Sequence, residues 1–120
     1  FFAVKNKIKY IFSVPCCQHE VNSQISNKNE FSIILKHGLY KERFSAILTD
    51  AIRCEVLQDH VYEVDVVEFV DFENTPKNSM IRAKLKAKHV PPENNMNLKK
   101  LISEFNINPT ILRLFERECL

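Results

Sequence analysis

The spacing of apolar residues changes along the chain, and each change marks an element. Ile8 to Val14 (Ile-Lys-Tyr-Ile-Phe-Ser-Val) is dense in β-branched and aromatic residues and stops at Pro15, which predicts a strand buried on both faces. Gln18 to Glu30 is polar and rich in Asn and Ser, the pattern of a loop or a frayed helix. From Leu39 to Leu57 the period lengthens: Phe44, Ile47, Leu48, Ala51, Ile52 and Val56 recur at three- and four-residue spacing, which predicts a long helix with one apolar face. Gly38, just before it, supplies a backbone flexible enough to turn the chain into the helix. Tyr62 to Phe72 alternates and then becomes continuously apolar, and Ser79 to Leu85 alternates again, so both read as strands. The turn-forming residues Glu73 to Asn78 between them predict an antiparallel hairpin. After Pro91-Pro92 the chain predicts two short helices, one near Leu98 to Phe105 and one opened by Asn108 as cap and Pro109 in the first turn.

The predicted order is strand, long helix, strand, tight turn, antiparallel strand, helical tail. A right-handed crossover places the first two strands parallel. Their carboxyl ends then lie at one side of the sheet, where open α/β sheets bind ligands. Pro15-Cys16-Cys17-Gln18-His19-Glu20 and Glu73-Asn74-Thr75-Pro76-Lys77-Asn78 both follow those ends.

Composition narrows the classes. With 45% hydrophobic and 27% charged residues in a chain of 120, a packed core is expected. A net charge of +2 neither demands nor excludes a nucleic-acid partner. No apolar run approaches the roughly 20 residues that span a bilayer, and no secretory signal is visible, so no membrane partner is expected. The four cysteines include an adjacent pair, one on the predicted helix and one beside the terminus; this suits reduced thiols in a cytoplasmic protein better than a disulfide framework. There is a single glycine, whereas loops that cradle phosphate or ribose need several close together. The chain starts at Phe1-Phe2 and runs almost directly into a strand, which suggests a portion of a longer protein.

Three segments together carry a resemblance: Val14 to Glu20; Lys41-Glu42-Arg43-Phe44 with Leu48-Thr49-Asp50-Ala51-Ile52-Arg53; and Thr75-Pro76-Lys77-Asn78 with Ile81-Arg82-Ala83. They resemble the second half of class I S-adenosylmethionine-dependent methyltransferases, in particular a methyltransferase-domain family with a Pro-Cys-Cys-X-His element after its fifth strand. A related Cys-Cys-His-His element occurs in tRNA 2′-O-methyltransferases. The resemblance covers roughly Ile8 to Leu85. It implies an α/β fold, the C-terminal portion of a Rossmann-like methyltransferase sheet in which the last strand inserts antiparallel between the preceding two. Residues 1–90 would be the C-terminal half of the domain and 91–120 a helical tail. It also implies S-adenosylmethionine as the methyl donor of the full-length protein, with the glycine-rich loop and the ribose-binding acid in a missing N-terminal half. RNA is preferred as acceptor by the tRNA-methyltransferase likeness.

Each candidate residue has two readings. Pro15, Cys16, Cys17, Gln18 and Glu20 either shape the methyl-acceptor pocket, with His19 as a base, or end a strand with small buried thiols and a loop cap. Zinc fits poorly, because structural sites space their ligands in two pairs, so no metal is expected. Thr75, Pro76, Lys77 and Asn78 either wall the same site or only make a turn. On the helix, Arg43, Thr49, Asp50 and Arg53 either support the site or lie on a solvated face, with Asp50 and Arg53 as an i,i+3 pair. Lys84, Lys86 and Lys88 either touch an RNA backbone or keep an exposed strand soluble. The rival to an enzyme is a non-catalytic α/β module that binds a partner through an exposed sheet edge. Without a neighbour, the Ile8–Val14 strand is also expected to drive self-association.

Overall fold

The computed structural model describes residues 1–15, 19–69, 79–87 and 95–118. Its elements are α1 (Phe2–Lys5), β1 (Tyr10–Ser13), α2 (His19–Gln24), α3 (Ser32–Leu35), α4 (Gly38–Asp59), β2 (Tyr62–Glu68), β3 (Ser79–Leu85), α5 (Met96–Phe105) and α6 (Thr110–Glu118). They form two compact units, each built from two stretches of chain: Phe1–Cys16 with Cys54–Glu93, and Cys17–Arg53 with Asn94–Leu120.

The first unit holds a three-stranded sheet in the order β1-β3-β2. β3 is antiparallel to both neighbours, with Ser13 opposite Ile81 on one side and Val66 opposite Ile81 on the other. β1 and β2 therefore run in the same direction, and their carboxyl ends lie at the same end of the sheet. β2 and β3 pair antiparallel as the alternation predicts, with β2 spanning Tyr62–Glu68; residues 70–78, which hold the rest of the expected strand and its turn, lie outside the described residues. Asp65 sits directly across from Arg82 and pairs with it. Both side chains are largely exposed, so this pair adds little stability.

β1 departs from expectation. It is not buried on both faces: Tyr10 is 50% and Phe12 67% exposed, while Ile11 and Ser13 are half-buried. The register puts Tyr10 and Phe12 on the face of Lys84 and Arg82, where the Lys9 ammonium lies 5.4 Å from the centre of the Tyr10 ring. Ile81, Ala83 and Tyr62 are buried on the opposite face.

Tyr62 ties the unit's two chain stretches together. Its hydroxyl donates to the carbonyl of Ile8 at 2.7 Å, just before β1. Burial holds its phenol above the ordinary value. One residue earlier, Val61 has φ of 71°, a left-handed conformation that costs a β-branched residue on the order of 1–2 kcal/mol. The turn is held because the Val61 amide donates to Gln58 O at 3.1 Å and its carbonyl accepts from Lys86 N at 2.9 Å.

α4 is longer than its apolar period, and its buried stripe is different. Leu48, Ile52 and Val56 are buried as expected, but Ile47 is 71% exposed and Ala51 is exposed. Ser45 and Thr49 take the stripe instead. Their hydroxyls are satisfied locally: Thr49 Oγ1 donates to Ser45 O at 2.6 Å and Ser45 Oγ to Asn22 Oδ1 at 3.2 Å. Gly38 lies inside the first turn without positive φ and with nothing close to where a Cβ would stand, so the helix does not depend on its flexibility.

The second unit is helical. Phe31, Phe44 and Phe105 meet at its centre with ring centroids 5.1–6.0 Å apart, beside the buried side chains of Val21, Ile25, Leu35 and Ile107. Gln18–Glu30 is not simply loop, since His19–Gln24 is helical. α5 starts two residues before the expected helix because Asn95 Oδ1 caps the Leu98 amide at 3.0 Å, and it ends at Asn106 with φ of 50°. α6 begins at Thr110, with the Pro109 carbonyl accepting from Leu112 N at 3.1 Å.

A raised phenol pKa means the folded state keeps the Tyr62 proton when the unfolded chain has lost it. Its contribution is fully present below the unfolded value of about 10 and is lost as pH rises through and beyond that value. In urea titrations, Tyr62→Phe should cost about 1 kcal/mol at pH 7 and flatten the loss of stability between about pH 9.5 and 11.

Candidate functional site

The carboxyl ends of β1 and β2, at Ser13 and Glu68, coincide at one end of the sheet, as the parallel arrangement requires. Pro15 follows β1 there and is half-buried. Cys16, Cys17 and Gln18, and likewise Thr75, Pro76, Lys77, Asn78 and Lys88, lie outside the described residues. Cys54, on α4, is a half-buried thiol and not part of a disulfide. Among the described residues, no three His, Cys, Asp or Glu side chains come together as a metal site.

His19 and Glu20 open α2, and both are exposed. Glu20 has a structural task. Its Oε1 accepts from the Thr110 backbone amide at 2.9 Å and the Thr110 hydroxyl at 2.7 Å, with Arg113 Nη2 at 3.2 Å. The Thr110 amide is one of the donors that a helix start leaves without an intrahelical partner, so Glu20 caps α6 from another element and places negative charge at its positive end. One turn along, Gln24 exchanges two hydrogen bonds with the Asn108 backbone, at 2.8 and 3.3 Å. Asn108 thus braces α2 and is not the helix cap.

On α4, Asp50 and Arg53 form the expected i,i+3 pair at 2.7 Å, Thr49 is buried and bonded to its own helix, and Arg43 is exposed. Lys84 and Lys86 are exposed along β3 and just beyond it. The single glycine, Gly38, opens α4, with nothing within 4 Å of where a Cβ would stand.

A shallow, open depression of about 770 Å³ lies in the second unit. Its walls are the 26–29 segment after α2 and the carboxyl half of α5, with Lys28, Lys99 and Lys100 around it. The sequence carries no signal for it beyond the Lys99-Lys100 pair, because its walls come from distant parts of the chain. Comparisons with protein-family models, curated proteins and solved structures give no match.

Replacing Glu20 by Ala should lower stability by about 1 kcal/mol, the usual cost of a lost cap, whereas His19→Ala should change it by less than about 0.5 kcal/mol. Chemical denaturation of the two variants separates these roles. Equal effects would remove the brace assignment.

Proposed function

We propose that this chain is the C-terminal portion of an S-adenosylmethionine-dependent methyltransferase and contributes its acceptor side. The observation that supports this reading is the insertion of β3, antiparallel, between two strands that run the same way and are joined in sequence through α4. That arrangement is the one the resemblance implies. The segments that follow β1 and β2, with Pro15 to Glu20 and Thr75 to Asn78 among them, are the proposed acceptor side. Glu20 serves there by holding α6, and His19 is the candidate base. The chain alone is inactive in this reading, because the donor is held by residues it does not contain. Calorimetric titration of S-adenosylmethionine should give binding to a longer form that includes the preceding glycine-rich segment and none to this chain. Absence of binding to both would remove the proposal.

A second reading rests on β1. Among the described residues it pairs only with β3, and Tyr10, Phe12 and Val14 are exposed along it. An apolar strand with one open edge is a template for pairing, so the chain in this reading is a binding module that associates through that edge. Light scattering should then show a mass that rises with concentration into the high micromolar range. A constant monomer mass would sink this second reading.

A further inference from the structure

In the helical unit, large apolar side chains stand in solvent where α3 gives way to α4 and along the first turns of α4. Ile33 is 72% exposed and Ile47 71%, with Leu39 at 57%, Tyr40 at 53% and Ile34 at 41%. Single exposed apolar residues are ordinary on a protein surface, but a cluster of them marks a place that something covers.

The backbone keeps these residues together. It goes on turning between the two helices: Lys36 N donates to Ser32 O at 3.0 Å, His37 N to Ile34 O at 3.2 Å and Lys41 N to His37 O at 2.8 Å. The rings of His37 and Tyr40 meet edge-on across the corner, with centroids 5.5 Å apart. Tyr40, Arg43 and Ile47 follow at three- and four-residue spacing, so they share the outer face of α4, while Leu48, Thr49 and Ile52 are buried on the other.

Charge completes the pattern. Between Phe31 and Ile47 the chain carries Lys36, Lys41 and Arg43 against Glu42 alone. Lys36 and Arg43 are exposed and Lys41 is half-buried, and among the described residues none of the three forms an ion pair. The start of α4, the positive end of its dipole, lies in the same place.

We propose that this corner docks the chain on an anionic lipid surface. Ile33, Leu39, Tyr40 and Ile47 enter the boundary between headgroups and acyl chains, and the cations meet the headgroup anions. Interfacial binding draws on those two terms, buried apolar area and attraction to anionic lipid. Exposure favours lipid over a partner protein: side chains more than two-thirds exposed stand out from the surface, and a fluid bilayer closes around them, whereas a partner helix is seated in a groove. The expectation of no membrane partner rests on spanning. Among the described residues no helix is long and apolar enough to cross a membrane, and lying on one requires no such helix. The inference uses the helical unit alone and is independent of both readings of the sheet.

The test is co-sedimentation of the chain with phosphatidylcholine vesicles containing about 30% phosphatidylserine, an anionic surface of known sign. Binding should be lost when phosphatidylserine is left out and should weaken as salt rises from about 50 to about 200 mM. Each Lys or Arg near such a surface is worth roughly fivefold, so K36A/R43A should weaken binding at least tenfold. The variant I33S/I47S changes only exposed positions; it should unfold at the parent's temperature and also bind at least tenfold more weakly. The chain has no tryptophan, so Tyr40→Trp supplies a single probe whose emission should move to the blue on the anionic vesicles. Failure of the parent chain to sediment with these vesicles would overturn the proposal, as would equal binding by I33S/I47S or an unmoved emission from a bound Tyr40→Trp chain. A mass that rises with concentration in the parent and stays constant in I33S/I47S would overturn it too, by assigning the face to a second copy.

Discussion

The sheet exists because β3 supplies both ladders. β1 has no other strand partner among the described residues, and β2 meets β3 along its whole length. Backbone amides and carbonyls in a sheet must be paired, and a two-stranded hairpin alone is marginal in water. Inserting β3 meets both requirements together: it completes a three-stranded surface and buries Ile81 and Ala83 beside Tyr62. The common direction of β1 and β2 follows from this, and so does the meeting of their carboxyl ends. The place where a ligand would be expected is therefore a product of one strand's position.

Legibility in the sequence followed how local each determinant is. The antiparallel pairing of β2 and β3 was readable because alternation is a pattern of neighbours in the chain. α4 was readable to within two residues at either end, but its buried face only in part, since Leu48, Ile52 and Val56 lie on it and Ile47 and Ala51 do not. Periodicity counts Ser45 and Thr49 as polar, whereas the fold gives their hydroxyls partners and buries them. The exposed side of β1 was equally hidden, since an apolar strand carries no mark of whether a layer will cover it. The short α2 was legible only as one of two alternatives, a loop or a frayed helix, and its tie to the start of α6 at Thr110 spans 90 residues of chain.

The candidate site shows the same division. Glu20 stood out in the sequence as part of the cysteine-histidine segment, and the structure gives it a task at the start of α6. Asp50 and Arg53 were legible as a pair because they are one turn apart on one helix. The lysine-lined depression was illegible, since Lys28 and the Lys99-Lys100 pair meet only in the folded unit. Sequence motifs point to chemistry carried by neighbours in the chain; surfaces assembled from distant segments leave no such trace.

The interleaving of the two units has a consequence for heredity. Each is assembled from two separated stretches, so no single contiguous piece of the coding sequence specifies either one. A recombination event that moved residues 17–53 alone would carry half of one unit and leave the sheet's two stretches joined by a different spacer. Deleting the last 27 residues or so would remove α5 and α6, and with them the partners of Phe31, Phe44 and Glu20. Sheet and helical unit can be passed to a new protein only together, as one indivisible cassette.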